Sequence, residues 1–294
     1  MAALLAFIVH FLLNANIPVL QPAGIIGQKE KHLMIVAVLL CLIVVLPVFT
    51  MTIFIAWKYR ESNHKAKYNP EWDHSRLFET IWWAIPFIII GILSVIAWNS
   101  SHDLDPFKAL AAPGVKPLNI QVVSLDWKWL FIYPDQHAAS VNRVEFPVNT
   151  PINFELTSDS VMNSFWVPAL GGQIYTMPGM STQLHLMSDK LGSYGGSSAN
   201  ISGNGFAGMT FAAVSVTGEE FSRWIKTAAN SDKGLDAAAY QALAEPSWDN
   251  KVVYYSSPQP GLFENIMMKY MMPGMSGVLP PSYMMDGMPG MAGM

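Results

Sequence analysis

The sequence of 294 residues has few of the side chains that usually build reactive or metal-binding centres. Its single cysteine, Cys41, excludes a disulfide within the chain. The seven histidines are scattered, and no two have the spacing of metal ligands within one secondary-structure element. A G-x-S-x-G turn, a phosphate-binding loop and a C-x-x-C-H haem-attachment motif are absent from the sequence. We therefore predict no catalytic centre, no metal and no cofactor in this chain.

Charged residues are also scarce. Lys, Arg, Asp and Glu make up 13% of the sequence and the formal net charge is −4, which argues against nucleic acid as a partner. Hydrophobic residues make up 51%, and this excess indicates membrane segments. The chain is long enough for a membrane anchor and one sizeable domain.

Two uncharged apolar runs, residues 33–57 and 80–98, are each long enough to span a bilayer as a helix. We expect a transmembrane hairpin over residues 25–99. Two core helices of a soluble protein are the alternative, but runs of this length without a charge favour the membrane. The connecting residues 58–79 are rich in Lys and Arg, so the positive-inside rule places this loop in the cytoplasm and the rest of the chain outside.

Residues 1–24 form a signal-like or N-terminal segment. Its apolar part, residues 1–13, is too short to span a bilayer. The part is typical of the hydrophobic region of a signal peptide, although no positive charge precedes it. Both cleavage and retention of the segment remain open.

From residue 119 onward, short runs of β-branched and aromatic residues alternate with turn-forming Pro, Gly, Asn and Asp. This spacing is typical of an all-β sandwich or barrel, which we expect over residues 115–217. Residues 218–260 contain Ala, Glu and Lys with helical periodicity, so we expect a short helical extension there. The Met-rich residues 261–294 predict a flexible tail, with Cu(I) binding by clustered thioethers as the alternative.

Residues 192–209, with the sequence GSYGGSSANISGNGFAGM, are rich in Gly, Ser and Asn. These residues favour positive φ angles and local hydrogen bonds, so we predict a tight, ordered loop. The stretch contains no Cys, His or carboxylate and cannot hold copper or zinc by thiolate or imidazole. From the residues alone, a polar loop of an unrelated β-domain is an equally good interpretation.

The same stretch resembles the frame G-x-Y-x-G-x-C-x-E-x-C-x-x-x-H-x-x-M, which closes the two-copper site of subunit II of the cytochrome c oxidases, with its ligands replaced. Residues 163–168 resemble the H-S-W-x-V-P segment that supplies the remaining histidine. Among the ligand positions only a methionine is retained, and one thioether cannot hold a dinuclear copper centre. The six positions that correspond to copper ligands are Asn163, Ser198, Asn200, Ser202, Phe206 and Met209.

This pattern resembles subunit II of a bacterial quinol oxidase of the cytochrome bo type. The resemblance implies a membrane-anchored α+β chain, in which a two-helix transmembrane hairpin precedes an all-β cupredoxin-like domain and a short helical C-terminal extension. It implies a structural subunit, without copper, of a proton-translocating ubiquinol oxidase that reduces oxygen to water in the bacterial inner membrane. It further implies that the C-terminal domain is periplasmic, that oxidase subunit I is the partner, and that haems and the oxygen-site copper lie in subunit I.

Two other functions remain open. One is a cytochrome c oxidase subunit II with a degenerate copper site. The other is a membrane-anchored β-domain that acts as a scaffold and is unrelated to an oxidase.

Two further residues acquire meaning from the resemblance. Glu79 precedes the second apolar run, where related chains carry a glutamate at the entrance of a proton-uptake path of subunit I. A carboxylate at a helix N-terminus is stabilised by the helix dipole and can collect protons at a membrane surface; helix initiation alone is the alternative. Trp127, in the segment DWKW, corresponds to the tryptophan through which electrons enter cytochrome c oxidases, but with no acceptor beneath it we expect packing.

Overall fold

The structure is a computed structural model, and it describes residues 17–65, 71, 73–248 and 250–271. The chain divides into two compact units. The smaller comprises residues 29–105, and the larger combines the segment up to residue 28 with the chain from residue 106 onward. Most of the signal-like segment and the tail beyond residue 271 lie outside the described residues.

Two long helices account for most of the smaller unit. Helix α1 extends over Ile25–Lys58 and helix α2 over Arg76–Asp103. Large apolar side chains project from all sides of both helices, and no residue in the most hydrophobic window of either helix is buried. A helix that is apolar all round and uncovered is typical of a membrane span. Both helices are long and apolar enough to cross a bilayer, which confirms the two predicted apolar helices.

Both helices continue beyond the apolar runs that predict them. Helix α1 starts at Ile25, because the polar residues 28–31 before the apolar run are good helix formers, and helix α2 continues to Asp103. At the end of α1, Arg60 Nη1 donates a hydrogen bond to the carbonyl oxygen of Trp57 at 3.0 Å. This bond satisfies one of the carbonyl groups that a helix end leaves free.

In the described residues, the larger unit contains eleven β-strands in two sheets. One sheet has the order β11-β3-β2-β1-β5-β8 and the other has the order β4-β10-β9-β6-β7. The pairs β1/β5 and β4/β10 are parallel and the other pairs are antiparallel. This arrangement confirms the predicted all-β domain. The strands are β1 Leu118–Leu125, β2 Lys128–Tyr133, β3 Ala138–Val141, β4 Arg143–Pro147, β5 Ile152–Ser158, β6 Asn163–Trp166, β7 Gln173–Thr176, β8 Thr182–Leu186, β9 Gly192–Ser198, β10 Thr210–Val216 and β11 Val253–Ser256.

The first strand-like run of the sequence, which starts at residue 119, folds as two strands. Asp126 and Trp127 form the turn between β1 and β2, whose last paired residues are Leu125 and Lys128. Trp127 has a φ of 61°. Two-residue hairpins need such positive φ angles, but a bulky side chain rarely adopts them. The sequence hides this turn because it uses a tryptophan where Gly or Asn is usual.

The stretch 192–209 is only partly a loop. Its first part, Gly192–Ser198, is strand β9, which the loop prediction missed. Strand β9 lies between β10 and β6, and backbone hydrogen bonds to both neighbours override the low strand propensity of Gly and Ser. Gly196 also makes room for a core side chain, because a Cβ atom at this position would overlap the ring of Phe211.

Aromatic rings fill the space between the two sheets. The ring of Trp129 on β2 lies 5.4 Å from that of Phe165 on β6 and 5.6 Å from that of Phe211 on β10. Phe165 and Phe211 stack with centroids 5.0 Å apart, and all three side chains are buried. Each such pair contributes about 0.5–1.5 kcal/mol beyond the burial of its area. These contacts join the two sheets into one core.

Between β10 and residue 271, the described residues add three helices and one strand. The helices are α3 (Gly218–Ala229), α4 (Ala237–Ala244) and α5 (Leu262–Met271). Helices α3 and α4 confirm the predicted helical extension, whereas β11 pairs with β3 at the edge of the six-stranded sheet. Helix α5 occupies residues that the sequence assigns to the tail, and its apolar face, which includes Phe263 and Ile266, is buried in the core. The extension is therefore packed into the domain.

A buried carboxylate holds two of these helices in place. The Asp159 side chain, 1% exposed, accepts hydrogen bonds from Tyr240 OH at 2.6 Å, Tyr270 OH at 2.8 Å and Lys269 Nζ at 2.7 Å. Burial, reinforced by the Asp159 charge, raises the pKa of Tyr240 above its ordinary value. The phenol therefore stays protonated and remains a hydrogen-bond donor to the carboxylate.

The segment before α1 is fastened to loops of the β-domain. The Ala23 N–H donates to the Ala169 carbonyl at 2.7 Å, and the Ala23 carbonyl accepts from the Asp189 N–H at 3.0 Å. Gly24 permits this close approach, because a Cβ atom there would lie 2.7 Å from the carbonyl oxygen of Met187. The hydrogen bonds make this segment part of the larger unit.

We predict that Gly196→Ala lowers the stability of the β-domain by about 1–3 kcal/mol, because the added methyl group must displace the packed ring of Phe211. Gly195→Ala is the matched control, since a Cβ atom at that position meets nothing within 4 Å. Thermal unfolding of the two purified variants, followed by near-ultraviolet circular dichroism, measures the difference. Equal unfolding midpoints for the two variants would contradict the overlap.

Candidate functional site

The six positions that resemble copper ligands lie together in the β-domain, at the ends of two strands and in the loop that follows one of them. Asn163 is the first residue of β6 and Ser198 is the last residue of β9. The other four positions lie in the connection from β9 to β10, which contains a short 3₁₀ helix at Phe206–Gly208. Because Phe165 of β6 pairs with Ser198 of β9, the two loops start side by side. The fold thus gathers positions that are far apart in the sequence.

The hydroxyl of Ser198 is the centre of a buried hydrogen-bond network. Ser198 Oγ lies 3.0 Å from Asn163 Oδ1 and 3.1 Å from the carbonyl oxygen of Asn200, and it accepts from the Ser164 N–H at 3.3 Å. Ser198 is 4% exposed and Asn163 is 1% exposed. Buried polar atoms are costly unless they are paired, so these bonds stabilise the local structure.

The two asparagines connect neighbouring loops. Asn163 Nδ2 donates to the carbonyl of Val161 at 3.0 Å, and Asn200 Nδ2 donates to the carbonyl of Met162 at 3.0 Å. Each side chain thereby holds the loop between β5 and β6 in a fixed conformation. The two amide groups thereby satisfy backbone carbonyl groups of this loop.

The remaining positions, Ser202, Phe206 and Met209, form a second group that contacts Ser198. Ser202 Oγ lies 3.9 Å from Met209 Sδ, and the Met209 N–H donates to the Phe206 carbonyl at 3.0 Å. The Ser198 N–H donates to the Met209 carbonyl at 3.3 Å, which joins the two groups. Met209 is buried and Phe206 is half-buried. All six positions therefore belong to one packed, hydrogen-bonded network.

The chemistry of this network differs from that of a metal centre. It offers hydroxyl groups, amides, one phenyl ring and one thioether, and a thioether alone is a weak ligand. Throughout the part of the chain that the structure describes, no group of three or more His, Cys, Asp or Glu side chains could hold a metal ion. The donor set does not fit a dinuclear copper centre.

Trp127 lies against the same connection. Its indole Nε1 donates to the Ser202 carbonyl at 3.2 Å. Gly205 faces the indole so closely that a Cβ atom there would overlap the ring. The ring of Trp248, from the C-terminal extension, lies 5.9 Å away. The indole therefore packs against the β9–β10 connection and the ring of Trp248.

Lys128 and Trp248 also belong to this region, although sequence reasoning did not identify them. Lys128 is 2% exposed, and its Nζ donates to the Glu245 carbonyl at 2.7 Å and to Ser247 Oγ. Burial lowers the pKa of the Lys128 ammonium group, although the charges of Asp126 and Glu245 oppose the shift. By holding the residues before Trp248, Lys128 places that ring beside the turn. A lone lysine inside an apolar strand-like run was the available signal.

Glu79 belongs to the smaller unit and occupies the first turn of α2. Its Oε1 accepts a hydrogen bond from the Ser75 N–H at 3.2 Å, and its own N–H donates to the Ser75 carbonyl at 2.9 Å. The side chain is half-buried. The carboxylate therefore satisfies a free N–H group at the helix start, where the helix dipole favours a negative charge.

Comparison with known proteins identifies the family. Residues 136–216 match the family model of the cytochrome c oxidase subunit II periplasmic domain, and residues 229–274 match the COX aromatic rich motif. The cytochrome bo(3) ubiquinol oxidase subunit 2 of Pseudomonas putida is 49% identical over 268 residues, which cover 91% of this chain and 85% of that protein. The chain belongs to the ubiquinol oxidase subunit 2 family. The ubiquinol oxidase subunit 2 of Acetobacter aceti is 47% identical, over 88% of this chain and 84% of that protein.

Membership of the ubiquinol oxidase subunit 2 family confirms the cupredoxin-like β-domain that the resemblance implies. A solved structure, the periplasmic domain of subunit II of the cytochrome oxidase of Bradyrhizobium japonicum, is 26% identical with a TM-score of 0.37, and the match covers 41% of this chain and 96% of that one. The aromatic rich motif spans β11 and α5, and it also includes Trp248. The described elements of this motif therefore pack on the β-domain.

We predict that Ser198→Ala lowers the stability of the β-domain by about 1–3 kcal/mol. The substitution leaves buried partners such as Asn163 without their hydrogen bond. Ser202→Ala is the matched control: it occupies the other thiolate-like position, but its hydroxyl makes only the weak 3.9 Å contact with Met209 sulfur, so we expect a change within about 0.5 kcal/mol. Thermal unfolding of both variants measures the effects. A larger loss for Ser202→Ala would contradict the central role of Ser198.

Proposed function

We propose that this chain is the second subunit of a proton-translocating ubiquinol oxidase in the bacterial inner membrane, and that it serves the complex as a structural and assembly subunit. The observation that carries the proposal is the buried Ser198–Asn163 network, which fills the place of a copper centre with hydrogen bonds. The relatives are named as ubiquinol oxidase subunits, and this supports ubiquinol as the substrate of the complex.

In the proposed complex, electrons do not pass through the β-domain. One-electron transfer through this domain would need a redox centre, and hydroxyl, amide and thioether groups do not build a dinuclear copper site. Electrons from ubiquinol therefore enter another subunit directly. The resemblance assigns the haems and the oxygen-site copper to subunit I, where oxygen is reduced to water. This chain contributes contacts that hold the complex together.

We propose that residues 58–79 face the cytoplasm and that the β-domain is periplasmic. Residues 58–79 form a short connection between the two spans and carry several cationic side chains, among them Lys58, Arg60 and Lys65. Positive charges in short loops stay on the cytoplasmic side. With two spans, both ends of the hairpin then lie on the outer side of the membrane.

Glu79 is the residue of this chain that we assign to proton uptake. In the proposed orientation, its half-buried carboxylate lies at the cytoplasmic end of α2. A carboxylate at the membrane surface can accept a proton from water and pass it to a neighbouring group. Its bond to the Ser75 N–H fixes the side chain at the helix start without using its second oxygen in any described hydrogen bond.

We predict that the purified complex shows no mixed-valence copper signal, and that its copper content corresponds to the oxygen site alone, even after incubation with copper salts. The reason is the donor set of the six positions. Electron paramagnetic resonance and elemental analysis measure the signal and the content, and a cytochrome c oxidase serves as positive control. A mixed-valence signal, or oxygen consumption with reduced cytochrome c as sole donor, would favour the alternative of a cytochrome c oxidase subunit. A chain that purifies without haem would favour the scaffold alternative.

We predict that Glu79→Gln slows ubiquinol-driven oxygen consumption and proton release severalfold, because the amide cannot carry a proton, while the haem spectrum stays unchanged. Glu71→Gln, a carboxylate of the same loop outside the helix, is the control and should leave both rates unchanged. Oxygen-electrode and pH-indicator measurements on proteoliposomes determine the rates. Wild-type rates in the Glu79→Gln complex would remove the proton-uptake role and leave helix initiation as its function.

A further inference from the structure

Exposed apolar side chains surround the end of the β-domain at which the six ligand-like positions meet. Ile201, between β9 and β10, is 80% exposed, and Trp248 is 62% exposed. Single exposed apolar residues are common on proteins, but a contiguous group of them marks an interaction surface. This group, the apolar rim, consists of Val161, Met162, Met180, Ile201, Trp248 and Met271.

Hydrogen bonds and a ring contact connect the members of the rim. Asn200 Nδ2 donates to the Met162 carbonyl at 3.0 Å, and this bond places Ile201, the next residue, beside Met162. Trp127 Nε1 donates to the carbonyl of the residue after Ile201, and the Trp127 ring lies 5.9 Å from that of Trp248. The rim therefore extends from the loop between β5 and β6 to the C-terminal extension.

The end of helix α5 lies at the same rim. A Cβ atom at Gly179 would lie 3.2 Å from Tyr270 Cβ and 3.6 Å from the Met271 backbone nitrogen, so the turn that carries Met180 adjoins the last residues of α5. Tyr270 OH also donates to Asp159 at 2.8 Å, in the loop between β5 and β6 that contributes two members of the rim. The chain beyond α5 therefore starts at the rim.

The composition of residues 272–294 suits an apolar surface. Asp286 is their single charged side chain, seven of them are Met, and Val278, Leu279 and Tyr283 add further apolar groups. Met side chains adapt to irregular surfaces, and contacts of their sulfur with aromatic rings contribute about 0.3–1.5 kcal/mol each. Fully extended, these residues would span about 75 Å, whereas a domain of this size is about 40 Å across. The segment is therefore long enough to reach every member of the rim.

Covalent attachment favours this segment over a separate partner molecule. A segment connected to its binding surface by a short linker has an effective concentration on the order of 1 mM. A contact that would be weak between separate molecules, with a Kd of about 1 mM, is then formed about half of the time. Modest apolar contacts are therefore sufficient to hold the segment on the rim.

We propose that residues 272–294 fold back over the apolar rim and cover Ile201 and Trp248. The segment then shields this end of the β-domain from water and closes the surface beside Trp127 to other proteins. In this arrangement the residues form a surface layer of the domain, in place of the flexible tail that their composition predicts. The proposal does not depend on the proposed oxidase activity.

Photocrosslinking in the complete complex, reconstituted in lipid nanodiscs, tests the proposal. p-Benzoylphenylalanine replaces Ile201 in one variant and Trp248 in another, and mass spectrometry identifies the crosslinked peptides. We expect crosslinks to residues 272–294 within the same chain, which gel electrophoresis separates from intermolecular products. Crosslinks only to another subunit, to lipid or to a second copy of the chain, or no crosslinks at all, would overturn the proposal. Ubiquinol-driven oxygen consumption of the same samples reports separately on the proposed function.

Hydrogen exchange measures how well the segment covers the rim. Deletion of residues 272–294 should increase the exchange rates of the amides of residues 203–205 severalfold, because water then reaches this loop freely. Ile201→Asp should have the same effect in the full-length chain, since it places a charge in the apolar rim. Leu191→Asp is the matched control: Leu191 is also exposed but lies at the other end of β9, so we expect wild-type rates. Equal rates in the full-length and truncated complexes would refute the covering segment.

Discussion

The need to pair buried polar atoms governs the end of the β-domain at which the six ligand-like positions meet. Ser198 is buried between two loops, and its hydroxyl lies within hydrogen-bond distance of Asn163 and Asn200. A buried hydroxyl without partners would destabilise the domain, so these contacts determine the conformation of both loops. The side chains of this network are engaged with one another and supply no thiolate or imidazole, so their donor set does not fit a dinuclear copper centre.

Two buried charged side chains, Lys128 and Asp159, hold the C-terminal extension against the end of the β-domain that carries the six ligand-like positions. Lys128 holds the backbone at Glu245, and Asp159 binds tyrosines of α4 and α5, among them Tyr240. A buried charge is costly unless it is paired or hydrogen-bonded, so each of these groups requires the extension to be in place. The extension then covers one side of the Trp127 turn with Trp248. The aromatic rich motif is thus an integral layer of the domain.

Membrane helices and short C-terminal helices could be predicted because their signals are local. An uncharged apolar run indicates a span without knowledge of its neighbours, and Thr217 with Glu220 forms a capping box that marks the start of α3. Strand β9 could not be predicted, because its Gly and Ser residues favour a loop and only pairing with β10 and β6 makes them a strand. The turn at Trp127 was hidden for a similar reason, since hairpin pairing imposes its positive φ. Helix α5 was assigned to the tail because Met-rich low complexity conceals a short apolar face.

The sequence by itself determined which chemistry is possible: the residues at the six ligand-like positions, and the absence of thiolate and imidazole among them, are properties of the chain before it folds. It also determined the membrane anchor, since hydropathy is a sum over neighbouring residues. Only the tertiary structure decided how the replaced positions are satisfied, which strands flank them, and that Lys128 and Asp159 fasten the extension. These features depend on partners far apart in the chain, such as Ser198 with Asn163. Contacts between distant residues leave no periodic signal in a single sequence, and folding is what brings them together.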